Sequence, residues 1–271
     1  MREALREAEE RLAAAGVETP RVDAELLLAH VLGMTRSGLY QQLDVEIDPD
    51  LESLLERRER REPLAYVLGE WGFRRLTLRV DERVLVPRPE TEVVVERCLD
   101  RLIDLPAPRV LDVGTGSGAI ALAIADEHVG AQVTGIDSSS AALELARANA
   151  EACEMAEHVR FIRHDLADGL RLGEFDLVVS NPPYVRPDEI EELEPEVRDW
   201  EPRAALVGTG VAEQIAHVAR ACLRAEGWLV LEAAAGSAEW LAGELEALGY
   251  RSISVTFDLA GIDRVVEGQW S

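Results

Sequence analysis

The sequence has 271 residues, 47% of them hydrophobic and 30% charged, and a formal net charge of -24 with arginine but no lysine. A chain of this length can bury one good-sized core and still form a small second domain. No apolar run approaches the roughly 18 residues of a membrane span, and the charged N-terminus lacks the apolar core of a secretion signal. The excess of Asp and Glu repels phosphate backbones, which argues against a general nucleic-acid-binding protein.

The cysteines, Cys98, Cys153 and Cys222, lie too far apart to form CxxC pairs. This spacing argues for reduced thiols rather than a disulfide framework or a zinc site, so we predict no metal and a cytoplasmic location. Cys98 and Cys222 fall among helical apolar positions, and we expect both to be buried. Residues 57–61 (Arg-Arg-Glu-Arg-Arg) are the one candidate basic patch, and we interpret them as a solvated helix face.

Residues 1–62 are predicted to form a small helical domain. The apolar residues recur at helical spacing up to Gly16, and again from Pro20 to Gly33. A third helix is expected to begin at Pro49, with Asp48 as its N-cap. Residues 63–84 are predicted to be a β-hairpin linker, because apolar residues alternate over 64–68 and again over 76–80 around a Gly-rich turn.

Residues 85–271 are predicted to be one α/β domain. Two prolines make residues 86–90 (Val-Pro-Arg-Pro-Glu) a stiff loop, and a helix is expected to start at Thr91. Strands and helices alternate beyond Arg109, which implies a parallel sheet with helices on both faces and ligand sites at the carboxyl ends of its strands. The expected strands are 110–113, 132–136, 159–162, 175–180, 228–232, 252–257 and 264–266. The expected helices between them are 119–125, 141–150, 211–223 and 238–247.

The loop 112–119 (Asp-Val-Gly-Thr-Gly-Ser-Gly-Ala) joins the first of these strands to its helix. Its glycines let the backbone turn tightly and approach a ligand closely. Asp137 follows the second strand, where a carboxylate can accept hydrogen bonds from the ribose hydroxyls of an adenosine. The same pattern fits a dinucleotide fingerprint, so the loop predicts a nucleoside site and leaves a nicotinamide enzyme open.

The segment 181–184 (Asn-Pro-Pro-Tyr) follows an apolar strand and indicates methylation of a planar nitrogen. The Asn181 side-chain oxygen and the Pro182 carbonyl can accept from both N–H bonds of an amide, which holds the nitrogen lone pair in line with a methyl sulfonium. Proline fixes the backbone and removes a competing donor. Tyr184 offers a flat face for stacking. Such catalysis works by positioning and requires no general base.

With these motifs the chain resembles the peptide chain release factor glutamine methyltransferases, the HemK/PrmC family, over essentially its full length. The resemblance is carried by residues 21–25, 62–66, 85–92, 112–119, 181–184 and 263–265. It implies a Rossmann-like, seven-stranded class I methyltransferase domain behind a helical domain and a hairpin. It also implies the cofactor S-adenosylmethionine and, as substrate, the glutamine of the Gly-Gly-Gln motif in class 1 release factors, which the N-terminal helices help to hold. We expect a monomer.

Roles carried over from the family fall on two sets of residues. The cofactor is expected to contact Gly114, Thr115, Gly116, Ser117, Gly118, Asp137, Asp165, Leu166 and Asn181. The substrate glutamine is expected to contact Asn181, Pro182, Pro183, Tyr184, Arg88 and Glu90, with Asn181, Pro182 and Tyr184 catalytic. Leu166 replaces an aromatic residue of some relatives, and the segment after Glu232 departs from the usual Glu-x-Gly, which puts the role of that loop in doubt.

Other readings stay open on the residues alone. The chain is also compatible with an enzyme for a ribosomal-protein glutamine or for amino groups of nucleic-acid bases, with a binding module that keeps the cofactor, and with a nicotinamide oxidoreductase. The long acidic loop 185–208 is interpreted as a flap over the substrate that suits a basic, ribosome-binding partner.

Overall fold

The computed structural model describes residues 2–39 and 49–271. Its α-helices are α1 (Arg2–Ala14), α2 (Pro20–Val31), α3 (Arg36–Leu39), α4 (Pro49–Glu59), α5 (Leu64–Leu68), α6 (Thr91–Leu102), α7 (Ala119–Glu127), α8 (Ser140–Ala152), α9 (Pro195–Trp200), α10 (Arg203–Leu206), α11 (Val211–Ala219) and α12 (Ala238–Ala247). Its strands are β1 (Glu70–Phe73), β2 (Leu76–Arg79), β3 (Arg109–Val113), β4 (Gln132–Asp137), β5 (Val159–Arg163), β6 (Phe175–Ser180), β7 (Leu223–Glu232), β8 (Arg251–Phe257) and β9 (Asp263–Gln269). Among these described helices, none is both long and apolar enough to cross a bilayer.

The chain forms two compact units, and the smaller one combines Met1–Glu70 with Leu193–Trp200. The apolar faces of α1, α2 and α4 form its core, with Leu12, Leu27 and Leu55 fully buried. The helical N-terminal region predicted from the sequence is confirmed, but α3 was not anticipated. The predicted N-cap Asp48 lies outside the described residues.

The interpretation of residues 57–61 as a solvated helix face is wrong. Arg58 is only 5% exposed, and its guanidinium pairs with Asp23 at 2.7 Å and with Glu196 of α9 at 2.8 Å. Arg61 pairs with the same Glu196 carboxylate at 2.6 Å. The sequence could not show this, because Glu196 lies more than a hundred positions away along the chain.

The segment Leu64–Leu68 is a helix, so the extended structure predicted there is wrong. Three consecutive residues of α5 are buried, from Ala65 to Val67, which a strand with one buried face cannot do. Gly69 ends the helix in a left-handed conformation with φ of 76°. The hairpin itself is present, formed by β1 and β2.

The larger unit, Trp71–Glu192 and Glu201–Ser271, contains the main sheet. Among the described strands the sheet has seven, in the order β5-β4-β3-β6-β7-β9-β8. Strands β3 to β7 of this sheet run parallel to one another, and β9 pairs antiparallel with both β7 and β8. The predicted α/β architecture is confirmed, although the helix expected over 211–223 already ends at Ala219.

Two apolar clusters cover the two faces of this sheet. Val110 of β3 packs with α6, α7 and α8, while its neighbour Leu111 packs with α11 and α12. This alternation follows from the pleat, which points successive side chains to opposite faces. Cys98 and Cys222 are buried in these clusters, one on each face, as predicted.

The segment 185–208, interpreted above as a loop, contains a 3-10 turn and the helices α9 and α10. Its two ends are joined, because the Val185 N–H donates to the Leu206 carbonyl at 3.0 Å and the Gly208 N–H donates to the Val185 carbonyl at 3.2 Å. Its middle, Leu193–Trp200, belongs to the smaller unit.

Candidate active site

An open cavity of about 320 Å³ lies in the larger unit at the carboxyl ends of β3, β4 and β6. This is where ligands bind in parallel α/β sheets. Its volume lies within the range of small-molecule sites. Of the residues singled out in the sequence, it is lined by Arg88, Gly114, Thr115, Gly116, Ser117, Asp137, Asp165, Leu166, Asn181, Pro182 and Pro183.

Three of the predicted site residues do not line this cavity: Gly118, Tyr184 and Glu90. The face of Gly118 that would carry a Cβ atom lies 3.0 Å from the Phe161 ring, so this glycine serves close packing of α7 on the sheet. Tyr184 is 41% exposed, at the outer end of its motif. Glu90 is half-buried at the N-terminus of α6.

The glycine loop and Asp137 are joined by hydrogen bonds. Gly114 and Gly116 have φ of 74° and 54°, a left-handed conformation that favours glycine. The Gly116 N–H donates to Asp137 Oδ2 at 3.0 Å, and the Ser139 N–H donates to Asp137 Oδ1 at 2.9 Å. These bonds hold a carboxylate, an acceptor suited to ribose hydroxyls, beside a glycine loop with open space around Gly114 and Gly116. A carboxylate acceptor beside an open glycine loop is the arrangement that a bound nucleoside requires.

A buried carboxylate, Asp112, supports the same loop from below. The Thr115 hydroxyl donates to Asp112 Oδ2 at 2.6 Å, which ties the loop to the end of β3. Burial raises the pKa of Asp112 to about 7, and the Thr115 hydrogen bond opposes that rise. Asn149 of α8 adds a second support, because its side-chain amide donates to the Ser117 carbonyl at 2.9 Å.

The Asn-Pro-Pro-Tyr segment leaves the carboxyl end of β6. The Ser180 hydroxyl donates to the Val113 carbonyl at 2.6 Å, which ties this end of β6 to β3. Pro182 is buried and Pro183 half-buried. A Cβ atom on Gly208 would lie 2.6 Å from the Pro183 carbonyl oxygen, so only glycine permits this approach. The motif is thus held on two sides by backbone contacts.

The side chain of Asn181 is oriented by a polar neighbour. Its Nδ2 donates to Thr91 Oγ1 at 3.2 Å, and Thr91 Oγ1 donates to Glu232 Oε2 at 2.7 Å. Burial raises the pKa of Glu232 to about 7, while the Thr91 hydrogen bond and the charge of Arg264 oppose the rise. Desolvation also raises the pKa of the Tyr184 phenol.

Arg88 lines the cavity and is held by an ion pair. Its Nη2 lies 2.7 Å from both carboxylate oxygens of Glu201, whose side chain is 1% exposed. Burial raises the pKa of Glu201, and the charge of Arg88 opposes that rise. The two rigid prolines around Arg88 and this pair together fix the guanidinium at the cavity wall.

Sequence reasoning missed three functional contacts in this site: Glu201 on Arg88, Thr91 on Asn181 and Asn149 on the glycine loop. Thr91 was recognised only as a helix start and Glu232 only as a residue in an altered segment. Neither carried a signal for pairing, since Thr91 and Glu232 stand 141 positions apart. The glycine loop 112–119 and the Asn-Pro-Pro-Tyr segment, by contrast, are recognisable from residue types and local spacing alone.

Comparison with known proteins gives two family matches. The PrmC N-terminal domain matches residues 3–69, and the methyltransferase small domain matches residues 91–194. The chain is 42% identical to the release factor glutamine methyltransferase of Deinococcus radiodurans, over 99% of this chain and 98% of the relative. It is 41% identical to that of Geobacter sulfurreducens, over 95% and 92%.

Among solved structures, a 16S rRNA methyltransferase of Thermus thermophilus in complex with AdoMet and guanosine superposes with a TM-score of 0.54. It is 20% identical, and the match covers 74% of this chain and 50% of that one. At this identity the likeness shows the methyltransferase fold alone. Identity near 40% over nearly the whole of several relatives shows more: the chain belongs to the release factor glutamine methyltransferase family.

Proposed function

We propose that this enzyme transfers the methyl group of S-adenosylmethionine to the side-chain amide nitrogen of the glutamine in the Gly-Gly-Gln motif of class 1 peptide chain release factors. The observation that carries the proposal is the placement of Asn181. It follows a central parallel strand, its Nδ2 is bonded to Thr91, and it lines the same cavity as the glycine loop and Asp137. Hydride transfer by a nicotinamide enzyme does not require the Asn-Pro-Pro-Tyr segment.

S-adenosylmethionine supplies an electrophilic methyl group carried on a sulfonium. Gly114, Gly116 and the residues between and beside them line the cavity where it is to be held, and Asp137 would accept hydrogen bonds from the ribose hydroxyls. Asp165 and Leu166 line the cavity beyond β5. Leu166 would give the adenine an apolar contact in place of an aromatic stack.

Asn181 and Pro182 hold the target amide. An amide nitrogen is a weak nucleophile because its lone pair is delocalised into the carbonyl group. Asn181 Oδ1 and the Pro182 carbonyl would accept the two N–H bonds, which aims the nitrogen lone pair at the methyl carbon. Bound S-adenosylmethionine would supply the methyl group to this nitrogen, and the nitrogen would then lose one amide proton to water. The residues therefore catalyse by positioning.

Pro183, Tyr184, Arg88 and Glu90 would shape the approach of the glutamine. Pro183 and Arg88 line the cavity wall. Tyr184 lies at the exposed end of the motif and offers its ring to the incoming side chain. Residues 1–62 would help to hold the release factor, and the Glu-rich segment 185–194 would attract a basic partner. The net charge of -24 disfavours DNA or RNA as the substrate.

The test is methyl transfer from labelled S-adenosylmethionine to a release factor, with three comparison substrates: the factor with its motif glutamine replaced, bulk DNA and bulk RNA. We expect label on the unaltered factor alone. Label on the substituted factor, or on nucleic acid only, would contradict the proposal.

A variant of the enzyme tests the residue roles. Asn181→Ala removes one of the two acceptors while leaving the glycine loop and Asp137 in place. It is expected to abolish transfer and to keep the affinity for S-adenosylmethionine within a few-fold of the original, measured by calorimetry. Retained transfer would exclude Asn181 as an acceptor.

A further inference from the structure

A chain of hydrogen bonds that ends on Asn181 connects three elements of the larger unit, and of its other two members Thr91 lines the cavity while Glu232 does not. This chain of hydrogen bonds runs from Glu232 at the carboxyl end of β7, through Thr91 at the first residue of α6, to Asn181 after β6. Thr91 is 4% exposed and Glu232 is 2% exposed, so little water competes for these bonds. Two parallel strands and a helix N-terminus therefore converge on one side-chain amide.

While Glu232 is ionised, the donors and acceptors of this hydrogen-bond chain leave one arrangement. An ionised carboxylate only accepts, and a threonine hydroxyl has a single hydrogen. That hydrogen goes to Glu232, so Thr91 Oγ1 can only accept from Asn181. Asn181 therefore faces Thr91 with its NH2 group, and its Oδ1 atom points away from Thr91. An asparagine amide has nearly the same shape in its two flipped forms, and only such a network distinguishes them.

We propose that Thr91 and Glu232 are positioning residues for methyl transfer, which hold the Asn181 amide in the orientation that presents Oδ1 to the substrate N–H. The inference rests on the acceptor role proposed for Asn181. The opposite flip would present NH2 to an amide NH2, two donors face to face, and would leave the substrate nitrogen without one of its acceptors. Neither residue needs to touch the substrate to have this effect.

The protonation state of Glu232 decides which atoms donate along the hydrogen bonds from Glu232 through Thr91 to Asn181. Burial raises its pKa to about 7. The charges that act on it are Arg264, Arg88 and Glu90, and Tyr184 lies close enough for Glu232 to raise the pKa of its phenol. A protonated Glu232 can donate to Thr91 Oγ1, which frees the Thr91 hydrogen to donate to Asn181 Oδ1. Asn181 would then flip, so the rate is expected to fall as pH decreases below about 7.

The experiment measures kcat and KM for the release factor between pH 6 and 8.5 in the original enzyme and three variants. Thr91→Val keeps the shape but removes the hydroxyl. It is expected to lower kcat at pH 8 by about ten- to a hundredfold, with KM within about twofold, and to abolish the fall at acid pH. Thr91→Ser, which restores the hydroxyl, should recover the original kcat at pH 8 and the fall in kcat at acid pH. Glu232→Gln imitates the protonated state and should give a low kcat that does not change with pH.

The comparison separates this role from others. Asp112 also has a pKa of about 7, so an acid fall in the original enzyme decides nothing by itself, whereas its loss in Thr91→Val does. A residue with a merely structural role would lower the unfolding temperature and leave the pH profile unchanged. If the variants that fold keep the original kcat and the original acid fall, the inference is overturned. If the unaltered enzyme does not label the motif glutamine, the proposed function fails instead.

Discussion

Removing Arg88 from its ion pair with Glu201 is expected to cost much more stability than neutralising Glu201. The Glu201 side chain is 1% exposed, while that of Arg88 is 34% exposed. Arg88→Met therefore leaves a buried carboxylate without its countercharge, which typically costs several kcal/mol. Glu201→Gln leaves a guanidinium that can still reach water and one amide oxygen that can still accept from it.

The magnitudes follow from this difference in burial. We expect Arg88→Met to lower the free energy of unfolding by about 3 kcal/mol, somewhat less than for a fully buried pair because Arg88 is partly hydrated and the Val86 backbone also bonds Glu201. Glu201→Gln is expected to cost about 1 kcal/mol. The double variant removes the uncompensated charge, so adding Glu201→Gln to Arg88→Met should recover roughly 1–2 kcal/mol.

The pH dependence gives an independent check. Burial already raises the pKa of Glu201 above its usual value, and removal of Arg88, which opposes the rise, must raise it further. The protonated form is then favoured in the folded state, and the associated stability is full below the unfolded pKa of about 4.5 and is lost as pH rises through the folded pKa. The cost of Arg88→Met should accordingly be larger at pH 7 than at pH 5.

The measurement is urea unfolding at both pH values, followed by tryptophan fluorescence and by circular dichroism. Coincident transitions by the two probes are needed for the free energies to be compared. A cost of Arg88→Met that is the same at pH 5 and pH 7, with no recovery in the double variant, would refute the reasoning that Glu201 is the uncompensated charge.

Three further outcomes are expected. Gly208→Ala places a Cβ atom 2.6 Å from the Pro183 carbonyl oxygen and should displace the motif, lowering kcat by roughly a hundredfold; Gly243→Ala, a helical site with open space, is its control and should leave kcat unchanged. Asp137→Asn should weaken binding of S-adenosylmethionine about tenfold, measured by calorimetry, because one amide oxygen replaces two carboxylate oxygens that accept from the Gly116 and Ser139 N–H groups and would accept from the ribose hydroxyls; an unchanged affinity would contradict a contact between this carboxylate and the ribose. Neutralising the acidic side chains of the 185–194 segment should raise KM for the release factor and spare kcat, and an unchanged KM would exclude attraction of a basic partner by the residues Glu189, Glu191, Glu192 and Glu194.

The sequence by itself determined the fold class and the main parts of the candidate site. Most strands of the α/β domain were predicted within a few residues because buried parallel strands are continuous apolar runs, and β6 was predicted at its observed bounds, Phe175–Ser180. The exception is β7, which was expected over 228–232 but begins at Leu223. The glycine loop and the Asn-Pro-Pro-Tyr segment were predicted to meet because both follow parallel strands, whose carboxyl ends share one edge of the sheet. Local pattern was sufficient for these features.

Other features were decided only by the tertiary structure. Alternating apolar residues at 64–68 predicted a strand, but burial of consecutive residues and the left-handed Gly69 make it a helix. The arginines of 57–61 read as a solvated face, whereas Arg58 is buried against Asp23 and Glu196. A charged residue carries no local sign of its partner when that partner arrives from a distant segment.

The orientation of Asn181 shows the same limit at the site itself. The sequence predicted that its side-chain oxygen accepts from an amide, and this stays a prediction. It could not predict that Thr91 and Glu232 bond the other end of the side chain, since the three residues come from α6, β6 and β7. The residue types and order of the Asn-Pro-Pro-Tyr segment are sufficient to indicate methylation of a planar nitrogen. Which way an amide faces depends on donors and acceptors that only the folded sheet brings within 3.2 Å.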